Sequence, residues 1–195
     1  MEKFNFVKPD YTILLASGSP RRQELISKFN FNLKIVKAPE NKEIIPDNVF
    51  RENIAIHLAK EKSLNYKGLK ENEILVTADT IVWKDNKILG KPKDKEEAIE
   101  MLEFLSGVEH FVFTGVCLRS INKTKSFFAE TKVKFSKLSK AEILYYIENY
   151  KPYDKAGAYG IQEWIGMIAV EYIEGSFYNV MGLPVQKLYK EIMEF

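Results

Sequence analysis

The sequence has little of what secreted and membrane-spanning proteins depend on. It contains one cysteine, Cys117, among 195 residues. Neither an internal disulfide nor a cysteine-based metal site is available, which indicates a reducing, cytoplasmic compartment. The first residues, MEKFNFVKPDY, mix charges and a proline with apolar residues, which argues against a signal peptide. No stretch approaches the roughly 20 consecutive apolar residues that span a membrane, so we expect no membrane partner.

A large charge of one sign and several well-known motifs are also lacking. The 29 basic and 27 acidic residues leave a net charge of +2, which is too small for the broad basic field of a nucleic-acid-binding protein. No HExxH, CxxC or long GxGxxG pattern is present. Hydrophobic residues make up 46% of the chain, enough to bury one sizeable core or two closely joined lobes.

Apolar runs and turn residues predict strands and helices mixed along the chain. The predicted strands are 12–17, 32–38, 73–84, 88–90, 110–120, 125–138 and 166–174. The predicted helices are 20–29, 48–66, 95–106, 141–150 and 184–195, with N-caps at Ser19, Asp94 and Ser139. Crossover and hairpin connections both occur, which predicts an α/β fold around a mixed sheet. No linker is visible, so we expect residues 1–195 to form a single domain with two lobes.

The segment SGSPRR, residues 17–22, places two cations at the start of a predicted helix. Acidic residues are the usual choice there, because the helix dipole makes that end positive. Unpaired N–H donors at the helix start, two guanidiniums and Ser17 would together form a cradle for phosphate. The alternative is that Arg21 and Arg22 splay apart towards surface glutamates.

Asp79 and Lys62 lie where their charges are least expected. Asp79 interrupts the predicted strand 73–84, and aspartate is rare in strands and costly to bury unpaired. It is either a structural acid bonded to backbone at a bulge or a functional carboxylate, and position alone does not separate the two. Lys62 continues the apolar side of the preceding helix, so its stem can pack while its ammonium reaches beyond the core or into water.

The remaining candidate residues lie in loops and turns. Glu43 lies in a polar connection and, taken alone, is an ordinary loop acid. Lys91 lies on a turn, where a solvated lysine is the default, although such turns also contact phosphate. In the loop 154–162, small residues let backbone approach a ligand closely. Lys155 lies near its start and Gln162, whose amide offers both a donor and an acceptor, ends it; the alternative is a plain surface loop.

Seven segments resemble, in the same order, those of the Maf family of nucleoside triphosphate pyrophosphatases. They are LASGSPRRQEL, LAKEK, TADTIV, LGKP, LSGVEHFVFTGV, DKAGAYGIQ and GSFYNVMGLP. They extend from Leu15 to Pro184, so the resemblance covers nearly the whole chain. Any one segment is a weak signal, but seven in the family's order are specific. The resemblance implies a Maf-like α/β domain with a mixed sheet in two lobes and a central cleft, similar to the inosine triphosphate pyrophosphatases.

The resemblance also implies an activity and a set of site residues. Family members hydrolyse a nucleoside triphosphate to a monophosphate and pyrophosphate with a divalent metal, and often form homodimers. The resemblance implies that Asp79 is the catalytic carboxylate and that Asp79 and Glu43 hold Mg²⁺ or Mn²⁺. The expected substrate-binding residues are Ser17, Arg21, Arg22, Lys62, Thr80, Lys91, Lys155 and Gln162.

Three positions match one branch of the family. Arg21, Thr80 and Gln162 are of the type that resembles dTTP/UTP pyrophosphatases, whereas the 7-methyl-GTP branch has an aromatic residue in place of the first arginine. The chain departs from the family where Glu163 and Trp164 follow the glutamine, because a glycine is usual there. We therefore expect hydrolysis of dTTP and UTP, and of modified pyrimidine nucleotides.

Two other functions remain open from the sequence. The first is a house-cleaning pyrophosphatase of the ITP or XTP type, which the same fold would serve. The second is a non-enzymatic regulator of septum formation that binds nucleotides or DNA. The near-neutral charge argues against extended DNA contact, and the presence of both Asp79 and Lys62 argues against an inactive scaffold.

Overall fold

The computed structural model describes residues 11–38, 44–46 and 48–195 of the chain. Its strands are β1 (Thr12–Ala16), β2 (Leu33–Val36), β3 (Glu73–Lys84), β4 (Lys87–Leu89), β5 (Glu109–Arg119), β6 (Thr124–Phe135) and β7 (Val170–Glu174). Its helices are α1 (Pro20–Ser27), α2 (Glu52–Asn65), α3 (Lys95–Leu105), α4 (Lys140–Tyr150), α5 (Trp164–Ala169), α6 (Phe177–Val180) and α7 (Val185–Glu194), and a short 3-10 turn covers Ala156–Ala158. Across the described residues, no helix is both long and apolar enough to cross a membrane.

The strands form one mixed sheet. Its order is β2-β1-β3-β5-β6-β7, and β4 pairs with β3 outside this path. Strand β1 runs parallel to β2, with Ile13 opposite Leu33, and parallel to β3, with Ile13 opposite Ile74. Strand β4 runs antiparallel to β3, and β7 runs antiparallel to β6. Parallel pairs need crossover connections, which contain α1 and α2 here. The predicted α/β fold with a mixed sheet is confirmed.

The chain divides into two compact units. The first unit consists of Met1–Asp79, Thr114–Ala129 and Gly182–Phe195, and the second of Thr80–Phe113 and Glu130–Met181. Within the first unit, Leu14 and Ala16 of β1 form a buried cluster with Leu75 of β3. Within the second, Leu102 of α3 and Tyr146 of α4 belong to one buried core. The boundary between the units falls inside β3, directly after Asp79.

Three helices begin as the sequence predicts. At Ser19, Asp94 and Ser139 the side-chain oxygen accepts from the backbone N–H three residues on, at 3.5, 2.9 and 3.3 Å. Glu142 completes a capping box by accepting from the Ser139 N–H at 2.7 Å. This backbone bond, with a second from the Ser139 hydroxyl, holds the pKa of Glu142 below its ordinary value. Each cap satisfies a donor that the helix itself leaves unpaired.

The predicted strand 166–174 is wrong over its first four residues, which belong to helix α5. Ile165 and Ala169 are four residues apart and both fully buried, which is the spacing of one helical side. A Cβ on Gly166 would lie 1.8 Å from the carbonyl oxygen of Ile161, so the chain folds back tightly onto the preceding loop. The apolar residues of this segment fit a strand as well as a helix. The tight approach of Gly166 to Ile161 depends on the folded chain and could not be predicted from them.

Helix α2 lies very close to the sheet in the first unit. The Thr77 hydroxyl of β3 donates to the Ala59 carbonyl of α2 at 2.7 Å. On β5, a Cβ at Gly115 would lie 2.2 Å from the carbonyl carbon of Ala55 in the same helix. Glycine is therefore required at this point of β5, because any side chain would push α2 off the sheet.

We expect Gly115→Ala to destabilise the protein by about 1–3 kcal/mol, because the added methyl group overpacks against the backbone of α2. The measurement is urea denaturation followed by circular dichroism. Gly90→Ala is the matched control, since a Cβ at Gly90 meets no atom within 4 Å. If the two variants unfold at the same urea concentration, α2 does not approach β5 as closely as described.

Candidate active site

The buried acid of β3 is compensated by a lysine from α2. Asp79 is only 9% exposed, and its Oδ1 accepts a hydrogen bond from the Lys62 ammonium. The two side chains keep 12% and 19% of their surface exposed, respectively, so the pair borders solvent rather than lying in the core. An unpaired carboxylate at this depth would be strongly disfavoured, and Lys62 explains why the strand tolerates one.

The last turn of α2, which contains Lys62, is fixed by an arginine from β5. The Arg119 Nη2 donates to the carbonyl oxygens of Ser63 at 2.5 Å and Tyr66 at 2.7 Å, and its Nε donates to the Ser63 hydroxyl at 3.1 Å. Carbonyl groups at a helix C-terminus lack partners within the helix. Arg119 therefore anchors the helix end directly beside Lys62, and so helps to hold the ammonium at Asp79.

Arg22 ties the start of α1 to the strand that contains the acid. Its Nε donates to the Gly182 carbonyl at 2.7 Å, and its Nη1 donates to the Ala78 carbonyl at 2.8 Å. Ala78 directly precedes Asp79, so the guanidinium is anchored one residue from the carboxylate. Two nitrogens of the Arg22 guanidinium thus donate hydrogen bonds within the protein. The expected contact of this residue with phosphate stays a prediction.

The turn before α1 has an open backbone and internal hydrogen bonds. The Ser17 side chain is mostly buried, at 5% exposure for the residue, and its hydroxyl accepts from the Ser19 N–H at 3.2 Å. The Gln23 amide donates to the Ser17 carbonyl at 2.9 Å. A Cβ at Gly18 would meet no atom within 4 Å, so the backbone of this turn is open at Gly18. Arg21 is half-buried. The first unit therefore brings together Ser17, Arg22, Lys62 and Asp79 through α1, α2 and β3.

Thr80, Lys91 and Glu43 are the next expected site residues. Thr80 is half-buried in β3, directly after Asp79, and Lys91 is exposed between β4 and α3. Glu43 lies outside the described residues, so its place in a metal site stays a prediction. In the part of the chain that the structure describes, no three His, Cys, Asp or Glu residues are grouped to hold a metal ion.

The second unit contains a buried lysine with two acidic partners. The Lys155 side chain is 8% exposed, and its ammonium lies 2.7 Å from Asp154 Oδ1 and 3.1 Å from Glu163 Oε1. The other Glu163 oxygen accepts from the Tyr146 hydroxyl, which itself accepts from the Gly160 N–H at 3.0 Å. Burial and this acid raise the pKa of the Tyr146 hydroxyl, so it remains a donor.

Gln162, the last expected binding residue, is half-buried beside this network. Its Oε1 is buried and has no hydrogen-bond partner among the described residues. A Cβ on Gly160 would lie 3.0 Å from the Gln162 amide nitrogen and 2.8 Å from the Glu163 carboxyl carbon. The two side chains therefore pack over the same glycine.

Sequence reasoning did not identify the roles of Arg119, Tyr146 and Glu163. Arg119 bonds to Ser63, which is 56 residues away along the chain. The spacing of neighbouring residues cannot predict a contact over that distance. The sequence did mark Glu163 as unusual, because the family usually has a glycine at this position. Nothing in the sequence indicated that Lys155 would be its partner.

This α/β protein thus ties a helix start with two arginines to the strand that contains a buried, lysine-paired acid. Positive charge at a helix N-terminus is an arrangement that favours anions. The chain belongs to the Maf family, because residues 12–195 match the family described as Maf-like protein. The resemblance read from the seven segments is thereby confirmed.

The chain is similar over most of its length to proteins named dTTP/UTP pyrophosphatase. One from Bacteroides thetaiotaomicron is 51% identical over 183 residues, which are 93% of this chain and 95% of that protein. Another from Parabacteroides distasonis is 50% identical over 186 residues, covering 95% and 96% of the two chains. One from Flavobacterium johnsoniae is 51% identical over 181 residues, covering 92% and 93%.

Among solved structures, that of the Staphylococcus aureus Ham1 protein matches 64% of this chain and 71% of its own, at 16% identity and a TM-score of 0.40. A likeness of this extent supports no inference about the site.

We expect Lys62→Met to lower the free energy of unfolding by about 1–3 kcal/mol, because it leaves a largely buried carboxylate without its partner. Adding Asp79→Asn to that variant should restore at least half of the loss, which a double-mutant cycle in urea measures. Lys95→Met is the control, since its pair with Glu148 has side chains 41% and 60% exposed and water screens such a pair, so this variant should unfold at nearly the unaltered urea concentration. If the double variant is no more stable than Lys62→Met alone, the pair does not compensate the buried charge.

Proposed function

We propose that this protein is a nucleoside triphosphate pyrophosphatase that hydrolyses dTTP and UTP to the monophosphate and pyrophosphate. The observation that supports it most is the connection from the start of α1, through Arg22, to the backbone beside Asp79. This connection supports the proposal because it ties the cationic start of α1 to the strand that contains the buried acid. The relatives of about 50% identity that carry the dTTP/UTP pyrophosphatase name support this substrate class.

The start of α1 provides the charge that a triphosphate needs. Its first N–H groups have no partners within the helix and point along the positive end of the helix dipole. Arg21 and Arg22 add two permanent positive charges there, and a guanidinium can bond two phosphate oxygens at once. Binding a polyanion relieves the repulsion between the two cations, so in this proposal the substrate completes the helix start.

Asp79 serves as the base in this proposal. The oxygen of a water molecule forms a bond to the α-phosphorus, and a proton of that water moves to the Asp79 carboxylate. The bond from the α-phosphorus to the bridging oxygen breaks, and its electron pair leaves with pyrophosphate. Lys62 keeps the carboxylate in place and offsets negative charge as it develops, which is how positioned cations assist phosphoryl-type reactions.

A divalent cation fits the donor chemistry of this site. Mg²⁺ and Mn²⁺ prefer oxygen ligands, and Mg²⁺ is commonly held by one or two carboxylates together with substrate phosphates. Asp79 offers one such carboxylate at the edge of solvent, and Glu43 is the second ligand in this proposal. When bound, the cation would supply charge that offsets the triphosphate.

The test is pyrophosphate release from dTTP, UTP, CTP, ITP and 7-methyl-GTP with Mg²⁺ or Mn²⁺ present. We expect dTTP and UTP to be hydrolysed fastest, and Asp79→Asn to lower kcat by about 100-fold or more, because it removes the base while keeping its shape. Asp85→Asn, in the exposed turn between β3 and β4, is the control and should keep full activity. A folded Asp79→Asn protein with near-normal, metal-dependent turnover would exclude this role for Asp79.

The same panel separates the alternatives. Faster hydrolysis of ITP than of dTTP and UTP would favour a purine house-cleaning enzyme. Hydrolysis of none of the five would favour a regulator that binds nucleotides without turning them over. A homodimer and a cytoplasmic location are expected from the resemblance and from the single cysteine, and they stay predictions.

Arg21 is expected to act on selectivity more than on phosphate binding. Because Arg21 is one of the three positions that match the dTTP/UTP branch of the family, we expect Arg21→Ala to lower kcat/KM for dTTP and UTP by about 10-fold more than for CTP or ITP. The control is Lys28→Ala, because Lys28 is an exposed cation at the other end of α1. This variant should leave kcat/KM unchanged for all five triphosphates of the panel. An equal loss on every triphosphate would make Arg21 a general phosphate contact.

A further inference from the structure

We propose that Glu163 is a positioning residue that holds Lys155 for an uncharged oxygen of the substrate, on the base or the sugar, and keeps it from the phosphates. This inference rests on the proposed function and deepens it for the second unit. Its starting observation is that the buried lysine has two acidic neighbours, Asp154 and Glu163, where one would balance its charge.

The two acids are not equivalent partners. The Asp154 side chain is 56% exposed and adjacent in the chain, whereas the Glu163 side chain is 19% exposed. An exposed pair contributes little because water screens it, while a pair at low exposure interacts more strongly. Asp154 is the nearer acid and accepts a hydrogen bond from the ammonium at 2.7 Å, but its exposure leaves it free to move with the lysine. The less exposed Glu163 is therefore the partner that fixes where the Lys155 ammonium lies.

The carboxylate of Glu163 is itself held on several sides. Its second oxygen accepts from the hydroxyl of Tyr146, a residue with 0% exposure in helix α4. The Glu163 backbone N–H donates to the Gly160 carbonyl at 2.9 Å, and the carboxyl group packs over that glycine. A side chain fixed by its backbone and by a buried hydroxyl is preorganised and transmits that position to Lys155.

Local charge decides which part of the substrate suits Lys155. With two carboxylates within 3.1 Å of its ammonium, the group of three is net negative. Such a group repels a triphosphate, yet the ammonium can still donate a hydrogen bond to a neutral carbonyl or hydroxyl oxygen. Thymine and uracil offer carbonyl oxygens, and every nucleotide offers sugar oxygens.

The experiment compares Glu163→Gln with the unaltered protein for dTTP hydrolysis and for inhibition by inorganic tripolyphosphate, which lacks base and sugar. The amide keeps the size and the bond to Tyr146 but loses the charge. We expect KM for dTTP to rise about 5-fold with kcat within about 2-fold, because Lys155 loses the less exposed of its two acidic partners and moves with the exposed Asp154. The inhibition constant of tripolyphosphate should stay the same or fall. Equal weakening of dTTP and tripolyphosphate would overturn the proposal.

Two further variants separate positioning from a general effect on the fold. In a Lys155→Met background, Glu163→Gln should not change KM further, since it acts only through the lysine. Glu171→Gln, an exposed acid of β7, is the matched control and should change nothing. If Glu163→Gln and Lys155→Met instead add independently, Glu163 does not act through Lys155. Should Glu163→Gln fail to fold, Glu163→Asp replaces it, and an intermediate rise in KM is expected because the shorter acid cannot reach both partners.

A readout without turnover keeps this inference distinct from the proposed function. Acetylation of Lys155 by a water-soluble lysine reagent, followed by mass spectrometry, reports how tightly the ammonium is held. We expect Glu163→Gln to speed this labelling about 3-fold or more, because the lysine loses its less exposed partner, and Glu171→Gln to leave it unchanged. Unchanged labelling would refute the positioning, even if the protein hydrolyses dTTP. Absent hydrolysis with faster labelling would refute the function alone.

Discussion

The Lys62–Asp79 ion pair is the interaction on which the first unit depends. A carboxylate inside a strand is tolerated only if a cation reaches it, so α2 must lie close enough to β3 to bring Lys62 there. That approach explains the glycine at Gly115, which leaves room for the helix backbone, and the bond from Thr77 to the helix carbonyl. It also explains why Arg119 anchors the helix end next to Lys62. Several features that look independent in the sequence thus serve one charge pair.

Arg22 adds a second constraint to the same strand. The cations at the start of α1 looked misplaced in the sequence, because that end of a helix is already positive. The backbone carbonyls of Ala78 and Gly182 supply part of the missing negative charge. The fold can therefore keep Arg22 in place before any substrate arrives, which is the preorganisation that electrostatic catalysis requires.

Features set by neighbouring residues could be predicted, and features set by distant contacts could not. The caps at Ser19, Asp94 and Ser139 and the bounds of β3 follow from local chemistry, and the structure confirms them. The unusual place of Asp79 could also be recognised, because an acid between apolar runs is a local anomaly. The contacts that anchor the helix end beside Lys62 could not be predicted, since Arg119 and Ser63 meet only when β5 and α2 pack together. The Lys155–Glu163 pair was missed for the same reason, and α5 was missed because its apolar letters fit a strand equally well.

The two acid–lysine groups lead to opposite electrostatics. In the first unit, Asp79 pairs with Lys62, and the start of α1 contains two arginines. In the second, Asp154 and Glu163 outnumber Lys155. In the function proposed for this protein, a triphosphate is drawn to the first arrangement and is repelled by the second. A glycine in place of Glu163 would leave Lys155 with the exposed Asp154 alone, so this acid converts a general cation into a directed hydrogen-bond donor. Selectivity of this kind combines repulsion of the phosphates with attraction of an uncharged oxygen of the base or sugar.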